Sequence, residues 1–533
     1  MSYALLDPDG VARLREALTT AGYTSIGIAE RIGPAAVAAV RRNDLRALLR
    51  ATDPATGDGA DRLATLIRLF IAGRTEPVAA VAAALEPLPL SDAVQANLVE
   101  PDGDGLRAAV DLDVYTGHTG TDWWVLSDVD ANTRPGRLRP DHVLGIGNAA
   151  ITLADATIRD PVATALDLGT GCGVQALQLS THAAAVTATD VSTRALRFAA
   201  TTAALNGMSW ELLAGDLVAP VRGRRFDLVV SNPPFVVGPG RARYTYRDSG
   251  RAGDGVCAEL AAAAPDLLTE GGTMQFLANW LHVAGMDWRE RVAGWVEGTG
   301  CDAWFVQREV SDPVEYVDLW LRDAGEPATA HEPANLDQPA GADEPAGASV
   351  LSAPRSRAGD PRGARLEWLE WFDQNKVEAV GFGVVTIRRS GRDQPVVRAE
   401  ELRHSVEAPM GQRIAEWLAR QDWLAGTQSL TDARLVRAPG LQLTQEAEHD
   451  GEDWAVQRQV LRLADGLRWA EEVDPVTLAL VTGADGSATL GDQIEVLAAA
   501  FDTPVATLAA MLTPVAAHLV ERGFLLPHAR APY

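Results

Sequence analysis

The chain has 533 residues, 47% of them hydrophobic, and its 72 acidic against 47 basic side chains give a formal net charge of −25. That length exceeds one ordinary core and predicts two to four domains; no apolar run reaches the length of a membrane span, and the opening MSYALLDPDGVARLREALTT lacks a basic then apolar leader, so a cytoplasmic location away from membranes is expected. The mean field repels phosphate, so a nucleic-acid partner needs a local basic patch, and Cys172, Cys257 and Cys301 stand too far apart for a disulfide framework or a zinc site, so no metal is expected.

Residues 1–97 carry apolar residues at helical spacing in GVARLREALTTAGY, VRRNDLRALLRAT and DRLATLIRLFIAG, which predicts an N-terminal helical domain. A second domain is expected over 98–390. It begins with a β lead-in, LRAAVDLDVYTG and DWWVLSDV, joined by turn residues. Strand candidates TALDL, AAVTATD, WELLAG, FDLVVS, TMQFLA, DAWFVQRE and VGFGVVTIRR then alternate with helical segments. That alternation predicts an α/β, Rossmann-like parallel sheet covered on both faces. Within it, about 325–362 is rich in Pro, Ala, Gly and acid, which predicts a disordered surface insertion, a passive loop or a partner-binding one. Residues 391–533 form the expected C-terminal domain, mainly helical with a winged-helix outline. Its last helix offers a single Arg522 where a DNA-recognition helix is basic, so packing or partner docking is its expected role.

In ALDLGTGCGVQALQLS a strand ends at Leu168 and a helix begins near Val174. The loop between them carries Gly169, Thr170, Gly171 and Gly173. Glycines let a ligand approach the backbone, and the helix start offers unpaired N–H groups, which suits a nucleotide-like ligand; a simple turn is the plain alternative. A dinucleotide fingerprint started at Gly169 meets Val174 where its last glycine belongs, and does not fit. Two later strands end in acids, AAVTATD at Asp190 and WELLAGDL at Asp216. The next, FDLVVS, delivers Asn232, Pro233, Pro234 and Phe235 beyond the carboxyl edge of the sheet, where such folds place their sites.

The pattern of Asp167, Gly169, Gly171 and Gly173 resembles motif I of class I S-adenosylmethionine-dependent methyltransferases. Asn-Pro-Pro-Phe resembles motif IV of those that modify planar nitrogens: glutamine amides, adenine N6, cytosine N4 or guanine N2. The resemblance implies S-adenosylmethionine as cofactor, with Asp190 accepting from its ribose and Asp216 meeting its adenine amino group. A helix N-cap at DVSTRAL and an ordinary Gly-Asp turn are the alternatives for those two acids. It also implies that the Asn232 carboxamide oxygen and the Pro233 carbonyl accept the target N–H groups while Phe235 stacks on the planar group. The segment from NPPF to TMQFL resembles the eukaryotic-type branch of release-factor glutamine methyltransferases, over about 145–310. Protein glutamine, possibly on a release factor, is therefore the first expected substrate. An RNA or DNA base, guanine N2 or adenine N6, is the alternative, for which Phe235 in place of tyrosine and Arg241, Arg243, Arg247 and Arg251 speak. A non-catalytic cofactor-binding scaffold is the alternative from another class.

Overall fold

The computed structural model describes the chain apart from residues 1–2, 41, 43, 55–60, 131–132, 135–137, 241–247, 324–360, 450, 452 and 529–533. The insertion expected at about 325–362 thus lies almost wholly outside the described residues. The chain folds as two compact units, Met1–Ala154 with Pro161–Glu401 and Asp155–Asp160 with Leu402–Tyr533.

The first unit opens with α1 (Pro8–Ala21), α2 (Ser25–Val40, kinked at Gly33-Pro34), α3 (Arg46–Ala51) and α4 (Arg62–Leu66), which runs on into a π-helical turn, Ile67–Ile71. Asp7 caps α1 by accepting from Gly10 N at 2.7 Å, and Pro8 supplies the pre-set φ of a first helical position. After β1 (Glu76–Pro77), α5 (Val78–Leu85) and α6 (Leu90–Gln95), strands β2 (Val99–Asp102) and β3 (Gly105–Ala108) complete a small sheet of order β1-β3-β2. The lead-in is an antiparallel hairpin, β4 (Asp111–Thr116) with β5 (Asp122–Ser127). Residues 1–97 share the first unit with the sheet because the two parts have one core: Leu14, Leu18, Tyr23, Phe70, Trp123 and Phe198 belong to a single apolar cluster. Arg15 also reaches across to the end of a sheet-covering helix, donating from Nε to Leu205 O at 2.8 Å.

The large sheet is built from β6 (Val162–Leu168), β7 (Ala183–Asp190), β8 (Glu211–Ala214), β9 (Phe226–Ser231), β10 (Leu268–Val283), β11 (Asp302–Ser311), β12 (Val377–Arg388) and β13 (Val397–Glu401). Its helices are α7 (Asn148–Ala156), α8 (Val174–Leu179), α9 (Thr193–Leu205), α10 (Gly255–Leu267), α11 (Trp288–Ala293), α12 (Pro313–Asp323) and α13 (Pro361–Gln374). The strand order is β13-β11-β12-β10-β9-β6-β7-β8. The sheet is mixed rather than parallel, since β12 runs antiparallel to both β10 and β11. A buried apolar strand such as VEAVGFGVVTIR reads alike in either direction, so this inversion leaves no trace in the residue pattern. β13 adds a parallel edge strand beyond β11.

In the second unit, α14 (Met410–Gly426) precedes β14 (Arg434–Arg437), β15 (Leu441–His449), β16 (Trp454–Leu463) and β17 (Ala470–Glu472). There follow α15 (Pro475–Gly483), β18 (Asp485–Thr489), α16 (Leu490–Ala500), α17 (Val505–Arg522) and β19 (Leu525–Pro527). Three helices and β18-β14-β19 give the winged-helix outline, with a capping box of Thr489 and Asp492 starting α16. A second sheet, β15-β16-β17, was not expected; its hairpin is almost wholly exposed, so it lacks the alternation that marks a strand. The Arg522 guanidinium lies 4.5 Å from the centre of the Trp469 ring.

The turn before α10 is held by Asp254, whose buried carboxylate accepts from Leu281 N at 3.0 Å and from the Arg291 guanidinium at 2.7 Å. Removing one partner of such a pair strands the other. Asp254→Ala is therefore expected to lower unfolding free energy by about 3–5 kcal/mol, with Asp254→Asn milder, as read by urea unfolding followed by circular dichroism.

Candidate active site

β6 and β9 are adjacent and parallel, with Leu168 opposite Ser231. Both strand ends therefore open at one level, and Gly169 and Asn232 leave the sheet side by side. A cavity of about 570 Å³ lies there, lined by Gly169, Thr170, Gly171, Asp190, Asp216, Asn232 and Pro234 among others.

The glycine loop is shaped by left-handed backbone, with φ of 74° at Gly169, 55° at Gly171 and 88° at Gly173. A Cβ at Gly173 would also meet the Trp210 ring at 2.8 Å, so this position excludes any other residue twice over. The carboxylate of Asp167 stands behind the loop, fully buried: Oδ2 accepts from Thr170 Oγ1 at 2.6 Å and from Ala176 N at 3.1 Å, while Oδ1 has no partner. Burial pushes the Asp167 carboxyl up from 3.8 to about 7. Asp190 ties the two strand ends of the cofactor side together, with Oδ2 accepting from Gly171 N at 2.9 Å and Oδ1 from Ser192 N at 2.8 Å. Its carboxyl too is raised by burial. The helix-capping role that the sequence leaves open for Asp190 falls to Ser192, which accepts from Ala195 N at 3.3 Å. Asp216 lines the cavity but also meets Arg251 at 3.1 Å, which in turn pairs with Glu259. Arg251 is thus engaged, and Arg241, Arg243 and Arg247 lie outside the described residues.

Asn232 Oδ1 is a buried atom without a hydrogen-bond partner on a residue that lines the cavity. Pro234 lines the cavity with it. Pro233 and Phe235 do not: the Pro233 carbonyl accepts from Phe235 N at 2.7 Å, and the Phe235 ring, 7% exposed, packs at 5.7 Å from Phe382 and 6.1 Å from Trp320. The stacking role expected of Phe235 is therefore blocked, because both neighbours, far away in sequence, cover its ring. Trp320 itself lines the cavity.

Sequence reasoning also missed a further group of cavity-lining residues, Asp111, Asp113, Asp128, Asp130 and His142. The signal was present, since Asp111 and Asp113 are two apart on β4 and so share a face. Burial, with Asp113 and Asp130 nearby, raises the Asp111 carboxyl well above the usual range, and burial with Asp130 raises Asp113. Asp128 is held by Arg194 at 2.9 Å and by Val143 N at 2.9 Å. His282, by contrast, is structural: it hydrogen-bonds Gln307 at 2.7 Å and stacks on Trp288. Among the described residues no group of three or more His, Cys, Asp or Glu is placed to hold a metal ion.

Residues 148–284 match the methyltransferase small domain. Residues 20–109 and 415–527 match two domains of unknown function, DUF7059 and DUF7782. Curated relatives include the ribosomal RNA small subunit methyltransferase C of Alcanivorax borkumensis, 33% identical over 21% of this chain and 31% of that protein. The protein of the same name from Salmonella choleraesuis is 30% identical over 30% of this chain and 43% of that protein. This chain thus spans less than half the length of these relatives. Solved structures that match include a ribosomal protein L11 methylase of Lactobacillus delbrueckii, at 23% identity, covering 30% of this chain and 72% of that one, with a TM-score of 0.22. A 16S rRNA N2 methyltransferase of T. thermophilus, solved with AdoMet and guanosine, is 16% identical over 42% of this chain and 65% of that one, with a TM-score of 0.25. The central part of the chain is a class I methyltransferase domain, and its cofactor is S-adenosylmethionine. The residues present suit that group: open space beside Gly169 and Gly171, a carboxylate at Asp190 for hydroxyl donors, and an unpartnered oxygen at Asn232.

Asp167 gives the site a pH signature. Because its folded pKa lies above the unfolded one, the folded state keeps a proton that the unfolded chain releases, so this group's contribution is full below about pH 4 and is lost as pH rises toward about 7. Asp167→Asn carries no such dependence. From pH 4 to pH 8 the variant is expected to gain up to about 4 kcal/mol relative to the unmodified chain, read by urea unfolding at each pH. A flat difference across that range would refute the buried protonated carboxyl.

Proposed function

We propose that this chain transfers a methyl group from S-adenosylmethionine to the exocyclic amino nitrogen of an RNA base, with guanine N2 the leading target. The observation that carries this reading is Asn232 Oδ1, buried without a partner in the cavity that also holds the glycine loop and Asp190. The lone pair of an aromatic amine is delocalised into its ring, so the nitrogen needs orientation more than it needs a base. Asn232 Oδ1 accepts one of its N–H groups and turns the nitrogen toward the glycine-loop end of the cavity. Pro234, beside it, stiffens the acceptor's position. When bound, S-adenosylmethionine supplies an electrophilic methyl group on a sulfonium. Gly169, Thr170, Gly171 and Gly173 cradle it, Asp167 braces their loop from behind, Asp190 accepts from its ribose, and Asp216 faces its adenine end. The names of the curated relatives favour an RNA substrate over a protein one.

A protein glutamine amide presents the same planar N–H₂ group. The net charge of −25 and the aspartates that line the cavity favour it as the second reading. Methylation of cell lysate with radiolabelled cofactor, digested in parallel with nuclease and protease, separates the two. Label released by nuclease supports the base reading, and label released only by protease replaces it with the amide.

Two variants check the roles. Asp190→Ala is expected to weaken S-adenosylhomocysteine binding by about tenfold or more in calorimetry, the loss of a charge-assisted bond. Asn232→Ala is expected to leave that affinity intact while turnover falls by two or more orders of magnitude, because the lost contact matters mainly in the transition state. Near-normal turnover in Asn232→Ala would remove the orienting role and leave NPPF as a stiff loop.

A further inference from the structure

In the second unit the hairpin of β15 and β16 keeps an apolar surface in water. Residues directly opposite each other across an antiparallel pair share a face of the sheet. The register sets Leu443 opposite Leu461, Ala447 opposite Val456 and His449 opposite Trp454, so these side chains lie on one face. Leu461 is buried, but Leu443 is 45% exposed, Val456 46% and Trp454 66%. An exposed apolar stripe of this kind is the mark of an interaction surface. The edge beside it is equally open. β15 is the outer strand of the sheet β15-β16-β17, and its nine residues, LQLTQEAEH, include none of the lysine or proline that commonly blunts an edge.

Charge selects the kind of strand that fits. On the other face of the hairpin Glu446 lies opposite Arg458 and Glu448 opposite Ala455. Arg458 already donates to Glu472 at 2.8 Å and stands 3.5 Å from Glu446, so the one cation on this face serves two carboxylates and Glu448 faces none. The tip reads QEAEHDGED, with five acids and no Lys or Arg. Such a tip repels phosphate, and it repels the same tip of a second copy. A strand laid along β15 meets Leu443 and Ala447 on one face and Glu446 and Glu448 on the other, because side chains of a strand point alternately to its two sides.

We propose that the β15 edge is a docking strand for an extended segment of a partner protein in which basic and apolar residues alternate, the segment joining the sheet as a further strand. Its backbone pairs with the free edge of β15. Its apolar residues continue the stripe of Leu443, Val456 and Trp454, and its cations lie across from Glu446 and Glu448. The proposal is independent of what the methyl-transfer site acts on.

Fluorescence anisotropy of labelled peptides with the full chain tests this. The probe is acetyl-Lys-Val-Lys-Val-Lys-Val-Lys-amide, and its control is acetyl-Lys-Lys-Lys-Lys-Val-Val-Val-amide, which has the same charge without the alternation. The alternating peptide is expected to bind about tenfold more tightly than the control, and Trp454→Ser is expected to remove most of that difference without changing the control. Glu446→Lys combined with Glu448→Lys is expected to lose the basic peptide and to bind acetyl-Glu-Val-Glu-Val-Glu-Val-Glu-amide instead. Should a variant not fold, the unmodified chain still decides the matter with two further peptides, the alternating one N-methylated at its valines or at its lysines. One of the two is expected to lose the tenfold preference, since only one edge of the peptide faces β15. Equal binding of the alternating and control peptides, or full binding of both N-methylated forms, overturns the proposal. Self-association of the chain, or binding of an oligouridine, that Trp454→Ser abolishes assigns the surface to a second copy or to RNA and overturns it as well.

Discussion

A hydrogen bond of 2.8 Å from the Ser231 hydroxyl to the Leu168 carbonyl joins the ends of β6 and β9, and the site depends on that junction. Asp167 lies opposite Val230 and Leu168 opposite Ser231, so the register is fixed to the last residue of each strand. From β6 the sheet grows one way through β7 and β8, and from β9 it grows the other way through β10. A crevice opens where the order reverses, and loops that leave neighbouring strands at one level must face each other across it. A slip of one residue in β9 would turn every side chain of the strand to the other face and carry the Asn232 loop out of line with the glycine loop. Buried Val229, Val230 and Leu166 resist such a slip, because each would have to exchange its packing for that of a neighbour.

Burial then sets the electrostatics of the cavity. On the glycine-loop side burial raises both carboxyls while hydrogen bonds hold them in place: Asp190 accepts from two backbone N–H groups, and Asp167 Oδ2 from a hydroxyl and a backbone N–H. Both brace the glycine loop. Asp111 and Asp113, which also line the cavity, are pushed up by burial and by neighbouring acids, Asp113 and Asp130 acting on Asp111 and Asp130 on Asp113. Asp128 differs because Arg194, reaching from α9, pairs with it. Cys172, although it also lines the cavity, is pushed by burial to about 12 and is no nucleophile at neutral pH.

Much of this was legible in the sequence. The seven strand candidates all became strands, because short, β-branched apolar runs between turn signals have few other uses. The glycine loop, the two acids after it and the position of Asn232 follow from strand order alone. What escaped depends on partners remote in the chain. The direction of β12 is set by what it pairs with, and β13 by the edge left free at β11. Phe235 looks like a stacking ring until Phe382, some 150 residues later, is seen to cover it. Asp216 looks free until Arg251 arrives from another loop.

The stiffness of the NPPFVV loop explains why its anchors are so costly in side chains. Proline cannot donate, and the β9 ladder ends at Ser231 even though β10 runs on to Val283, so the loop's polar groups must find partners elsewhere. Val237 finds two: its N–H donates to the Tyr316 hydroxyl and its carbonyl accepts from the Trp368 indole at 2.8 Å. Each such bond contributes only about 1 kcal/mol to stability, yet an unmet buried group costs about 1–3, so the pair is favoured chiefly because the alternative is worse. The return is geometric. Orienting reactants lowers a barrier by about 7–11 kcal/mol, well above the 10²–10⁴-fold typical of a general base. Orientation serves only if the acceptor does not wander. On the proposed reading, helices α12 and α13, through Tyr316 and Trp368, hold the loop that holds the acceptor.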